Sequence, residues 1–108
     1  MRLSEYQEQA VQTAIYSPAY AVFYPALGLA GEAGEVCNKI KKVFRDDGGI
    51  VTDEKRAALK GEIGDCLWYL AGLARDLGLS LEEAAQENIA KLLSRKERGT
   101  LGGSGDNR

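Results

Sequence analysis

Residues 31–35, GEAGE, and residues 61–65, GEIGD, are nearly the same pentad written twice, 30 positions apart. Each copy sits in an apolar-periodic segment that reads as a helix, and each places two glycines there. A glycine inside a helix costs about 1 kcal/mol relative to alanine, so Gly31, Gly34, Gly61 and Gly64 call for a reason. Stepping 100° per residue, Leu29, Ala33, Val36, Cys37, Ile40, Val43 and Phe44 form one apolar arc. In the other copy the arc is Leu59, Ile63, Cys66, Leu67, Leu70, Leu73, Ala74 and Leu77. Glu32 and Glu62 lie at the arc edges, with Glu35 and Asp65 at the next position out. Packing the arcs together as an antiparallel hairpin brings four carboxylates toward one place. The four glycines lie on the flanks, where bare backbone admits a neighbouring helix or a ligand.

Carboxylates held close repel one another and resist ionising, and a cation between them reverses that penalty. An oxygen-only donor set suits Mg²⁺, with Mn²⁺ as a substitute, rather than zinc. The chain contains no histidine, so His-based triads and Glu-x-x-His di-iron sites are excluded.

Around the two pentads, four helices are expected: about 3–16, 26–46, 53–77 and 81–98. Ser4 with Gln7 and Ser80 with Glu83 read as capping boxes, and Thr52 as an N-cap. Gly48-Gly49, Gly78 and Gly99 read as terminators. A weak strand pattern occurs only at 19–24, so the class is all-α, a four-helix bundle-like protomer. The domain spans residues 1–98, and 99–108 form a glycine-rich tail expected to be mobile or to close over a ligand. Cys37 and Cys66 fall on apolar positions and are expected to be buried and reduced.

Net charge is −2, which gives no support for binding a nucleic acid polymer. No apolar run approaches the roughly 20 residues of a membrane span. The opening MRLSEYQEQ lacks the apolar core of a leader, so a cytoplasmic location is expected.

Glu32-x-x-Glu35, a gap of 26 residues, and Glu62-x-x-Asp65 resemble the signature of MazG-type nucleotide pyrophosphohydrolases, in the all-α NTP pyrophosphatase superfamily. The segments LGLAGEAGEVCNKIKK (27–42), KGEIGDCLWYLAGLA (60–74) and NIAKLLSRKERG (88–99) carry the likeness, which covers roughly residues 4–99. The resemblance implies hydrolysis of an NTP or dNTP to the monophosphate and pyrophosphate, with Mg²⁺ held by Glu32, Glu35, Glu62 and Asp65 as the catalytic centre. It also implies a homodimer or dimer of dimers whose helices share sites. It suggests that Asn88 and Lys91 reach the nucleotide, and that Arg95 holds phosphate or the acids.

Lys39 offers either an i, i+4 pair with Glu35 or a phosphate contact. Tyr69 lies near the Glu62 row and can line the pocket, whereas Trp68 points off the arc, toward a subunit interface or a base. The aromatics of segment 17–25 offer stacking area, with a lean to purine dNTPs such as dGTP. Two other readings are a phosphoribosyl-ATP-type biosynthetic pyrophosphohydrolase and a non-catalytic, metal-binding helical partner protein. The chain is short for three long amphipathic helices, so the monomer core is expected to be marginal.

Overall fold

A computed structural model describes residues 1–108. It contains four α-helices and no strand: α1 (Leu3–Val11), α2 (Phe23–Asp46), α3 (Asp53–Asp76) and α4 (Leu81–Glu97). The 19–24 segment is not extended. A 3₁₀ turn, Pro18–Tyr20, is capped by the Ser17 hydroxyl, and α2 starts three residues earlier than its spacing predicts. Pro25 is accommodated in the first turn, where its missing N–H is not needed.

The caps of the last two helices form as read. Thr52 Oγ1 accepts from the Lys55 N–H at 3.1 Å, and Ser80 Oγ accepts from the Glu83 N–H at 3.2 Å. Gly48, Gly78 and Gly99 take positive φ at the breaks. Ser4 and Gln7 serve differently from expectation. Glu5 accepts from the Arg2 N–H at the start of α1, and Gln7 instead clips the α3–α4 turn. Its amide donates to the Leu79 carbonyl at 3.0 Å and accepts from the Leu81 N–H at 2.9 Å.

Helix α1 stops at Val11, five residues short of the spacing-based boundary, because α3 captures the segment beyond it. Trp68 Nε1 donates to Thr13 Oγ1 at 2.7 Å, and the Tyr16 hydroxyl donates to Asp76 at 2.7 Å. The Trp68 indole is thereby hydrogen-bonded to the segment that follows α1.

Helices α2 and α3, 24 residues each, form the antiparallel hairpin. Gly28 meets Tyr69 and Lys39 meets Glu62, so numbering rises on one helix as it falls on the other. Helix α1 lies against α3, and α4 packs on α1 and the end of α3.

The core is slight. Only six of 108 residues are buried: Ala10, Pro25, Val43, Ala71, Gly72 and Arg95. Much of each apolar arc stays in the open, with Phe44 72% and Ile63 64% exposed. Cys37 is exposed and Cys66 half-buried, contrary to expectation, because the arcs are wider than one hairpin can cover. The radius of gyration is 16.8 Å, against about 13 Å for a compact chain of this length.

The tail folds back on the C-terminal end of α4 rather than standing free. Arg95 Nη2 donates to the Asp106 carbonyl at 2.6 Å, and the Arg108 guanidinium donates to the Leu101, Gly102 and Gly105 carbonyls.

Candidate active site

The hairpin delivers three of the four acids to one point. One oxygen from each of Glu32, Glu62 and Asp65 lies within 4.8 Å of the other two. Glu35 is not in that group. It is exposed, one turn on along α2, beside a shallow groove lined by Gly31, Gly34, Cys37 and Asn38. Its charge still acts on Glu32.

Glu32 shows what the crowding does. Its carboxyl is held above the ordinary glutamate range, first by a hydrogen bond with Glu62, then by partial burial and the charges of Asp65, Glu62 and Glu35. A hard divalent cation relieves that repulsion, and three carboxylates with solvent beside them are the donor set such an ion takes. The residues therefore fit a divalent metal.

Lys39 pairs across the hairpin with Glu62, its Nζ 3.4 Å from Oε1, rather than along its own helix with Glu35. The pair is partly exposed, so it contributes at most about 1 kcal/mol, and the ammonium can exchange partners at little cost. Two phenols flank the cluster. Tyr69 is half-buried, and its pKa is raised by burial first, then by Tyr24 and by the charges of Glu32 and Asp65. Tyr6 on α1 is raised by burial and then by Asp65. By its spacing Tyr6 is only a member of the α1 apolar stripe, with no sign that it faces an acid.

The four pentad glycines have open space where a Cβ would stand. No helix of the protomer uses their bare backbone. Gly28 is different: a Cβ there would overlap the Tyr69 ring.

Asn88 and Lys91 are exposed on α4 and make no side-chain hydrogen bond or ion pair within the protomer. Arg95, expected beside them, is 6% exposed and turned to the tail.

Comparison with known proteins bears on the same residues. The family model of the MazG nucleotide pyrophosphohydrolase domain matches residues 25–100. Gene 37 protein of Mycobacterium phage L5 is 46% identical over 114 aligned positions that cover the whole of both chains. No solved structure matches. The matched span runs through both acid pairs and the hairpin that joins them, and the chain belongs to the MazG nucleotide pyrophosphohydrolase family.

Proposed function

We propose that the protein hydrolyses a nucleoside triphosphate to the monophosphate and pyrophosphate, using Mg²⁺ held by Glu32, Glu62 and Asp65. The observation that carries this reading is the convergence of those three carboxylates on one point of the hairpin. Glu35 is the fourth ligand in this reading. It is an i, i+3 neighbour of Glu32 on the helix surface, so a change of rotamer brings it in. When bound, the ion neutralises triphosphate charge and makes a water more acidic. Lys39 leaves Glu62 for a phosphate oxygen. A carboxylate of the cluster takes the proton of the attacking water. Water oxygen bonds to the α-phosphorus, the α–β anhydride bond breaks, and pyrophosphate leaves with the electron pair. Mn²⁺ substitutes for Mg²⁺, and purine dNTPs such as dGTP are the favoured substrates.

The protomer is half of the working unit in this reading. Its accessible surface is 7691 Å², against about 5,900 Å² for a compact monomer of 11.7 kDa. That excess is what one chain contributes to an obligate interface. A second copy of this chain covers the open arcs of α2 and α3, as a homodimer or within a dimer of dimers, and its α4 brings Asn88 and Lys91 to the acids.

Product analysis with Mg²⁺ tests the chemistry. Monophosphate and pyrophosphate from a dNTP are expected, and loss of activity in EDTA. Diphosphate and inorganic phosphate would overturn it, as would turnover of phosphoribosyl-ATP alone. Mixing tests the assembly. The Glu62→Gln and Lys91→Ala proteins, each weak alone, are expected to regain about a quarter of wild-type activity after joint dissociation and reassembly, because half the dimers then hold one intact site. No regain, or sedimentation as a monomer at micromolar concentration, counts against sharing.

A further inference from the structure

Arg95 is a buried charge with no counter-charge. It is 6% exposed and takes part in no ion pair. Its one side-chain hydrogen bond runs from Nη2 to the Asp106 carbonyl at 2.6 Å. Burying a charge is costly unless an opposite charge meets it, so a lone neutral carbonyl is a poor match for this guanidinium. The carbonyl belongs to the segment 99–108, where Gly99, Gly103 and Gly105 take positive φ. That segment closes on Arg108, whose guanidinium donates to the Leu101, Gly102 and Gly105 carbonyls at 3.0, 3.0 and 2.6 Å. Glycine loses more freedom on ordering than any other residue, so a fold-back rich in glycine is held lightly.

The same guanidinium has a competing use. Arg95 stands one turn beyond Lys91 and two turns beyond Asn88, about 6 and about 10 Å along one face of α4. In the proposed assembly that face meets a triphosphate on the acids of a second copy. Arg95 cannot turn to the tail and to phosphate at once. Resting on the pyrophosphohydrolase reading, we propose that residues 99–108 form an autoinhibitory latch: the Asp106 carbonyl holds Arg95 off the substrate, and a polyphosphate takes the guanidinium from it. Charge decides the exchange. A phosphate carries the opposite charge and takes two N–H groups side by side, whereas the carbonyl is neutral and takes one. Arg108 is the positioning residue of the latch, since its three bonds shape the coil that presents Asp106. While the latch is closed, the apparent affinity for substrate is reduced by the fraction of molecules that are open.

Arg108→Ala in the full chain loosens the latch without altering Arg95. It is expected to lower KM for a dNTP, and to tighten inorganic triphosphate with Mg²⁺ by calorimetry, each by about three- to tenfold, at unchanged kcat. In an Arg95→Gln background the same substitution is expected to change neither, because no guanidinium remains to be released. A second measurement needs no variant. NMR order parameters of the Gly102, Gly103 and Gly105 amides in the wild type are expected to fall toward the flexible range, below about 0.6, when inorganic triphosphate and Mg²⁺ bind. It decides the matter alone if Arg95→Gln does not fold. Order parameters that rise would mean that the tail closes over the ligand, and they overturn the latch, as do unchanged ones. An unaltered KM in Arg108→Ala, or an equal gain with and without Arg95, overturns it too. Those results leave the hydrolase reading intact, since the wild type still turns over dNTP. Absence of both triphosphate binding and dNTP turnover in the wild type and in Arg108→Ala overturns that reading and the latch with it.

Discussion

Replacing Glu62 by glutamine is expected to abolish dNTP turnover, by about 10²–10⁴-fold, while leaving the apoprotein folded and no less stable. Glu62 is the acid with most connections: it shares the three-oxygen cluster with Glu32 and Asp65, bears on the Glu32 proton and pairs with Lys39. Glutamine keeps its shape and removes its charge. The activity loss reflects the several kcal/mol that metal-assisted charge stabilisation supplies, at about 1.4 kcal/mol per tenfold. Two opposed effects decide stability. Losing the partly exposed Lys39 pair costs at most about 1 kcal/mol. Removing one of three mutually repelling carboxylates relieves a strain that is present whenever the metal is absent. Circular dichroism melts check the balance: the wild type is expected to gain thermal stability from Mg²⁺ and the variant to gain none. Turnover within about tenfold of wild type, or an equal Mg²⁺-induced shift in both proteins, would mean that the cluster is not the catalytic centre. Glu35→Gln provides the graded comparison. A loss smaller than that of Glu62→Gln fits a ligand that must first change rotamer, and an unchanged rate removes it from the site.

What periodicity could reveal, and what it could not, separate cleanly at particular residues. The i, i+3 spacing on two apolar helices placed Glu32, Glu62 and Asp65 together, because a hairpin of two amphipathic helices leaves little choice of partner. Lys39 was readable as a cation beside the acids, yet its partner lies across the hairpin, and helix spacing carries no information about register between helices. The glycines meet the same limit. Gly31, Gly34, Gly61 and Gly64 stand out in the repeat but touch nothing in the protomer, whereas Gly28, outside it, supports the Tyr69 ring. The α1 boundary was missed because long-range bonds from Trp68 and Asp76 outcompete a helical spacing that continues to Tyr16. The open arcs were the converse case. The pattern marked Ile63 and Phe44 as apolar interior positions, and one chain alone does not supply their interior.

Asp76 is expected to be the most sensitive position for folding, although it is remote in function from the acids. Its side chain is 4% exposed and accepts from three donors: Tyr16 hydroxyl at 2.7 Å, Val22 N–H at 3.0 Å and Arg75 Nε at 2.7 Å. The Val22 bond matters most, because Val22 sits at φ 71° as the N-cap of α2. A β-branched residue there is a true outlier, and such backbone costs about 1–3 kcal/mol unless its surroundings hold it. Asp76 holds it, and it also holds Tyr16 in place. Hydrogen bonds to a buried charge contribute about 1.5–3 kcal/mol each in the stronger cases, so Asp76→Ala is expected to cost about 3 kcal/mol, and Asp76→Asn, which keeps one acceptor oxygen, roughly half of that. For a domain of this size the larger loss lowers the melting temperature by more than about 10 °C. The pH dependence has a definite sign. Burial alone would raise the Asp76 pKa, but the Val22 N–H, Tyr16 and Arg75 together outweigh it and hold the carboxyl below the ordinary aspartate range. Its stabilising contribution is therefore complete above the unfolded-state pKa and is lost as pH falls through the depressed folded value. Denaturant melts of wild type and Asp76→Asn at neutral pH and at about pH 2 check this: the gap between the two proteins is expected to be wide at neutral pH and to narrow sharply in acid. A gap that stays constant would show that Asp76 acts through shape alone, and no gap at neutral pH would show that something other than this carboxylate keeps Val22 in its strained conformation.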